Sequence, residues 1–443
     1  MGEPGRDWVS ELSKAGEGDL SGGERAALTV LVADALGIAG AGRSAPGVAE
    51  ALSCFENDLG TGPVRLPWTR ASLPAPAAAA ALSALVHAWD FDDTHDSAVV
   101  HTSCVALPSA LAVALARGRS GADVAAGVVA GVQVLSRVSA AIGGQRGMIR
   151  TAALGALGAA AATARTLGLD EEHFTSALGL ALPATGSVMT RQVVAEGSPA
   201  KRLQPALAVQ AGVSAALMAA RGVRGPMDWL DGDYGILALR QDGDLAAAFE
   251  EIRAPGWEVA GLSLKPYPAC RYTHAAIDAV LGARADGLES AVVHVPAGQA
   301  YALVARPFAW RGQPVADVQF SIPWLVAAAL HTGRVDLSSL REPVLGDPAI
   351  ERLAARIRVE QDLPAQVGMA PAEVELHYAG TTEHRRAEMP GSPAHPLTLD
   401  QVEAKIAACV PDPRAVTRFS ADLAGLGAGD LRAALSTIDT QEH

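Results

Sequence analysis

The chain is poor in the residues on which several large classes of protein depend. Aromatics make up 4% of its 443 residues, and there are four cysteines, Cys54, Cys104, Cys270 and Cys409. None of them forms a C-x-x-C pair or lies close to another, so a reducing, cytoplasmic setting is expected. The formal net charge is −13 and there is no block of lysine or arginine, so the basic footprint of a nucleic-acid binder is missing. Met1 to Leu20 carries charges and glycine where an export signal needs an apolar core, so neither export nor a lipid anchor is expected. No phosphate-loop motif occurs, and Gly40-Ala41-Gly42 follows a helical pattern, not a strand, so it is no dinucleotide fingerprint. No fixed period suggests a solenoid.

What is abundant is small and apolar. Hydrophobic residues reach 49% and charged ones 19%, and a mean hydropathy of +0.20 owes much to alanine tracts such as Ala77 to Ala81. That composition favours close-packed helices, and the length allows two or three domains. Up to about residue 260, apolar positions recur at three- and four-residue steps, which predicts an all-helical region. Val124 to Gly144 is the most apolar long stretch. Interrupted by Gln133 and Arg137, it is expected to be a buried helix, not a membrane span.

After Leu264-Lys265-Pro266 the texture changes. Ala291 to Val295 and Glu373 to Tyr378 alternate with period two and predict strands, and Ala379-Gly380 followed by Glu383 to Met389 predicts a hairpin. Helical patterns at Ser321 to Leu330 and Ile350 to Ala355 make this an α+β unit. Helix returns at Asp400 to Cys409 and Ser420 to Leu435. The expected fold is mainly α with an inserted α+β unit. Residues 1–263 form the first part of the helical domain, 264–394 the insertion, and 395–443 helices that complete the first domain.

Three clusters carry possible chemistry. The densest is His87-Ala88-Trp89-Asp90-Phe91-Asp92-Asp93-Thr94-His95-Asp96, followed by His101. On a continuing helix, Asp90, Thr94 and His101 fall within about 40° of one another, presenting carboxylate, hydroxyl and imidazole together. A solvated, carboxylate-capped helix end is the plainer reading, although the flanks are apolar. A divalent metal held by His95-Asp96, His87 and a later histidine such as His173 is a third reading. The second cluster, Lys201-Arg202 ahead of a long apolar helix, reads either as surface charge or as an anion site. Lys265-Pro266-Tyr267-Pro268-Ala269-Cys270-Arg271-Tyr272-Thr273-His274 stands at the expected domain junction, where ligand sites concentrate. Cys104 and Cys270 lie near His101 and His274, so a thiol nucleophile is conceivable, though free cysteines are usually buried and inert.

In this order, Asp90-Phe91-Asp92-Asp93-Thr94-His95, Ala200-Lys201-Arg202-Leu203 and Lys265 to Asp278 resemble the MmgE/PrpD family, a family of dehydratases, decarboxylases and epimerases. The resemblance implies a helical domain made from both ends of the chain, an inserted α+β lid, a cleft between them and a homodimer. It also implies no metal or organic cofactor. By the same resemblance Asp90, Thr94, His101, Lys201 and His274 line the cleft. Two positions depart from the family pattern. Ile149 stands where a histidine is common, in Gly147-Met148-Ile149-Arg150-Thr151, and Trp324 replaces a tyrosine in Phe320-Ser321-Ile322-Pro323-Trp324.

The expected activity is a cofactor-independent lyase or isomerase acting next to the carboxylate of a small organic acid. His101 would be the acid or base, oriented by Asp90, with Lys201 as the cation and His274 as the opposing acid. Thr94, Arg271 and Lys265 would hold the substrate, along with Ile149 and Trp324. Because those last two replace polar groups, a bulkier and less charged acid is expected in place of 2-methylcitrate or cis-aconitate. The alternatives are a silent family member serving as a binding or scaffold protein, and an isomerase or cyclase of specialised metabolism. A membrane or nucleic-acid partner is not expected.

Overall fold

The computed structural model describes residues 1–143, 147–185, 191–240, 242–366 and 368–438. Helices Ala75–Val86, Ser103–Arg117, Gly121–Ile142, Arg150–Leu167 and Gln204–Ala219 pack against one another as the helical core. Small residues set how closely they approach. A methyl group at Gly131 would come within 2.9 Å of both Ala106 Cβ and Gly158 O, so the helices meet backbone to backbone there. Helix Gly121–Ile142 begins at a reciprocal cap between Ser120 and Asp123. It is long and apolar enough to cross a membrane, yet 94% of its most apolar window is buried in the protein.

The α+β region carries a four-stranded sheet. Its strands are β3 (Leu288–Pro296), β4 (Ile357–Leu363), β5 (Ala372–Tyr378) and β6 (Thr381–Ala387), ordered β4-β3-β5-β6. β3 and β4 are parallel, and the other pairs are antiparallel. Ala372, Val374 and Leu376 of β5 are buried, and helix His274–Val280 packs against β5 and β6. Two shorter strands, β1 (Thr94–His95) and β2 (Leu262–Ser263), pair antiparallel in the helical region. The Leu264 N–H donates to Gly391 O at 2.9 Å, so the chain enters and leaves the α+β region at one point. Helix Leu399–Ala407 then packs on helix Gly22–Ala39.

Two sequence expectations change, and one strand, β4, is not predicted by the sequence pattern at all. Residues 90–101 do not continue a helix. Ala75–Val86 stops at His87, and the next helix starts only at Ser103. Ser420 to Leu435 is not one helix, because Pro413–Asp422 and Ala428–Ser436 are separated by a break at Leu426-Gly427. β4 is an edge strand with little burial, so its alternation is weak.

Candidate active site

The segment between the helices is a strained turn. Asp90 and Val99 have φ of 53° and 56°, a region that costs a residue with a side chain on the order of 1–3 kcal/mol. Four consecutive carbonyls of this turn each accept a hydrogen bond from a distant side chain. Arg202 Nε reaches Ala88 O at 2.6 Å, Gln319 Nε2 Trp89 O at 2.6 Å, Lys265 Nζ Asp90 O at 2.8 Å, and Lys405 Nζ Phe91 O at 2.8 Å. Asp93 closes the turn. Its carboxylate accepts from Thr102 N at 3.0 Å, Thr102 Oγ1 at 2.7 Å and Ser103 N at 2.8 Å, capping the following helix. That cap, with the His101 N–H donating to Thr151 Oγ1 at 2.9 Å, fixes where His101 sits.

His101 forms a dyad with Asp92. Its Nδ1 donates to Asp93 O at 2.9 Å, and Asp92 Oδ1 lies 3.2 Å from the same nitrogen, at ion-pair distance but without a hydrogen bond. Both neighbours are acceptors, so Nδ1 carries the hydrogen and the Nε2 lone pair is left free, 3.7 Å from Asp90 Oδ1. The other Asp92 oxygen accepts from His87 Nδ1 at 2.8 Å, and His87 Nε2 accepts from Lys201 Nζ at 2.9 Å. The two imidazoles meet edge to face, 4.6 Å between centroids. The His101 side chain is 14% exposed, against 1% for His87 and 0% for Asp92, so His101 is the ring that reaches solvent-accessible space.

The charges reinforce this arrangement. Burial alone would raise the Asp90 pKa, but Lys201 at 3.0 Å and Lys265 at 2.6 Å hold it well below the usual carboxylate range. Asp92 is also held low, because the two histidines outweigh its burial. Burial pushes His87 down to about 4 against the pull of Asp92, so at neutral pH it is an uncharged connector between Lys201 and Asp92. His87, Asp90, Asp92 and His101 place ligand atoms within 4.8 Å of one another, close enough for a metal. However, both ring nitrogens of His87 are paired and two ammonium groups already face Asp90, which fits a hydrogen-bonded acid–base cluster better.

Asp90, His101, Lys201 and Lys265 therefore come together. Thr94 lies in β1, buried, and its Oγ1 has no hydrogen-bond partner among the described residues. Other expectations need correction. The hydrogen bond that orients His101 is accepted by Asp93 O, with Asp92 Oδ1 3.2 Å from the same nitrogen, and Asp90 faces the other one at 3.7 Å. Arg271 is not a free anion receptor, because its guanidinium is held bidentate by Asp96 at 3.0 and 2.9 Å and also donates to Pro390 O. His274 is fully buried, with Nε2 3.2 Å from Ala269 O, and burial with the nearby Arg271 and Lys265 charges keeps it neutral. Trp324 is fully buried near Phe308, and its indole nitrogen has no hydrogen-bond partner among the described residues. Ile149 is half-buried just before helix Arg150–Leu167.

The metal reading loses its ligands. His95 pairs with Glu258 at 2.7 Å, Asp96 with Arg271, and His173 with Asp170. Both candidate thiols are raised chiefly by burial, Cys104 well above its ordinary value and Cys270 to about 11, so neither is a thiolate at neutral pH. Sequence reasoning gave His87 only a metal-ligand reading and assigned no site role to Asp92, Gln319 or Lys405. A helical wheel turns Asp92 about 200° away from Asp90, so the error follows from assuming a helix there.

Beside Asp90 and Lys201 lies a narrow cavity of about 10 Å³, room for about one water. Val193, Val194, Ala316 and Phe320 form apolar walls, Arg202 and Gln319 are polar, and Thr94, His101, Ile149 and Trp324 are not among the lining residues. The Phe320 ring centroid is 5.8 Å from Lys201 Nζ. The residue facing the lysine is thus Phe320, four positions before the indole expected there.

The chain matches two known domain types. Residues 18–246 match the MmgE/PrpD N-terminal domain and residues 267–417 the MmgE/PrpD C-terminal domain. The chain is similar to the cis-aconitate decarboxylase of Homo sapiens, 26% identical over 363 residues, covering 76% of this chain and 73% of that protein. The Aspergillus terreus cis-aconitate decarboxylase is 29% identical over 220 residues, 46% of this chain and 44% of that one. The cis-aconitate decarboxylase-like protein oryM of Aspergillus oryzae is 34% identical over 172 residues, 36% of this chain and 35% of its own. With both domain types matched in order around the buried dyad, the chain belongs to the MmgE/PrpD family.

Proposed function

We propose that this protein is a cofactor-independent lyase or isomerase that moves a proton, or releases carbon dioxide, at a carbon next to a carboxylate. The observation that carries the reading is the approach of His101 Nε2, 3.7 Å from Asp90, to the Asp90–Lys201 pair that lines the cavity, with Asp92 3.2 Å from the other ring nitrogen. In a proton transfer, Nε2 takes the proton from carbon and the electron pair spreads onto the carboxylate oxygens. Lys201 stabilises that charge, and Thr94 Oγ1 supplies a hydrogen bond. In a decarboxylation, the bond to the departing carboxylate breaks, the pair stays on carbon, and the protonated His101 delivers a proton there. The decarboxylase activity for which the relatives are named favours decarboxylation within this class.

The substrate proposed is a small mono- or dicarboxylic acid with one apolar arm. Arg202 is committed to Ala88 O and Gln319, and Lys201, whose ammonium has a third hydrogen beyond those facing His87 and Asp90, is the lining cation proposed to meet substrate. The apolar walls suit a hydrocarbon arm, at roughly 25 cal/mol per Å² removed from water.

The test is incubation with a panel of mono-, di- and tricarboxylic acids, cis-aconitate and 2-methylcitrate included, in deuterated water. Proton NMR reads deuterium incorporation, and headspace analysis reads carbon dioxide. Turnover of a mono- or dicarboxylate is expected to exceed that of either tricarboxylate. No exchange or release with any acid would overturn the enzyme reading in favour of a silent binding protein.

A further inference from the structure

Lys405 lies 7% exposed on helix Leu399–Ala407, and Asp34 lies 1% exposed on helix Gly22–Ala39. The ammonium is 2.7 Å from Asp34 Oδ1, donates to Phe91 O at 2.8 Å and sits 4.1 Å from the Phe91 ring centroid. Neither residue lines the cavity beside Asp90. A buried ion pair is a weak source of stability, because the desolvation of two charges offsets their attraction and an apolar pair of similar volume often does as well. Stability is thus a poor explanation for its presence.

Position supplies a better one. The chain has four lysines, Lys14, Lys201, Lys265 and Lys405. The last three are buried, and all donate into residues 87–91. Lys201 and Lys265 act on Asp90 directly. Lys405 holds the Phe91 carbonyl, and that peptide plane fixes the direction in which Asp92 leaves the backbone.

We propose that Lys405, with Asp34 as its counter-charge, is a positioning residue that aims the Asp92 carboxylate at His101 by anchoring the Phe91 carbonyl. The C-terminal helix thereby becomes part of the acid–base apparatus without touching substrate. The meaning of the inference rests on the dyad reading above, but its test needs no substrate.

The experiment uses full-length protein labelled with ¹⁵N at histidine. The His87 and His101 signals are assigned by their loss in His87→Gln and His101→Gln. The shifts of the two ring nitrogens at neutral pH distinguish the Nδ1–H from the Nε2–H tautomer. Wild-type His101 is expected as the Nδ1–H form. Two variants are compared with it: Asp34→Asn/Lys405→Met, which removes both charges together, and Lys405→Arg, which keeps the charge but displaces the donor.

In each folded variant the His101 ring-nitrogen shifts are expected to move from their wild-type values as the carboxylate 3.2 Å from Nδ1 turns away, while exposed His173 stays unchanged. If His101 and His87 signals in a folded variant superimpose on wild type, the inference is overturned, even when the melting temperature drops. Loss of the fold in both variants would also overturn it, by making the pair a folding determinant. A negative turnover panel with moved rings would overturn only the functional reading.

Discussion

Asp92 has one carboxylate oxygen for each of two imidazoles, and this sharing defines the chemistry available at the residue scale. An asparagine there retains one acceptor oxygen but turns an N–H₂ group toward the other ring, which must flip its tautomer or lose its partner. Asp92→Asn is therefore expected to lower kcat by about 10²- to 10⁴-fold with little change in KM, read by steady-state kinetics on the best acid of the panel. A wild-type kcat would mean that Asp93 O alone orients His101. The motif Asp90-Phe91-Asp92-Asp93 thus divides its three carboxylates among tasks. Asp90 lies between two ammonium groups, Asp92 faces two imidazoles, and Asp93 caps a helix.

Among the helices, the decisive contacts are those of glycine and alanine. Gly131 faces Ala106, Gly158 and Ala162 with no room for a larger side chain, and its helix neighbours carry Cys104 and Thr151 close to the site in sequence. Gly131→Val is expected to force the crossing apart and lower stability by about 1–3 kcal/mol, as measured by urea unfolding. Part of any activity loss would then follow from movement of the Ser103–Arg117 and Arg150–Leu167 helices, because Asp93 and Thr151 tie His101 to both. An unchanged unfolding midpoint would show that the helices separate without strain.

The buried charges make the whole molecule sensitive to acid. Burial lowers His87 from its ordinary 6.5 to about 4. Over that window the unfolded chain binds a proton that the folded chain refuses, so stability falls as pH falls, on the order of 3 kcal/mol in all. Buried His274 shifts in the same direction. Asp34 opposes them. Burial raises it from 3.8 to about 6 against Lys405, so between those values the folded state keeps a proton the unfolded chain has released. That contribution falls as pH rises. Asp90 and Asp92 add stability above the ordinary carboxylate pKa that is lost only in stronger acid. The urea midpoint is expected to drop between pH 6.5 and 4.5, with a flatter pH slope in His87→Gln whatever its absolute stability. Equal slopes in the two proteins would remove His87 from this account.

Local pattern alone determined much of this protein. Period-two alternation marked β3, β5 and β6, and apolar three- and four-residue spacing marked the core helices, because those periods record which face is buried. The residue types at the site were legible too, since Asp90, His101, Lys201 and Lys265 are rare ionisable groups set in apolar surroundings. Geometry was not. The left-handed Asp90, the capping of a helix by Asp93 from nine residues away and the pairing of Asp92 with two histidines depend on backbone contacts with Arg202, Lys265, Gln319 and Lys405. Those partners lie more than a hundred residues distant, and no local propensity records them. Arg271 and Trp324 show the converse, because a side chain suited to bind substrate was taken up by Asp96 in one case and by the interior in the other. The sequence determines which groups must be buried; only the tertiary structure decides which of them meet, because a buried charge is settled by whatever partner the packing brings to it.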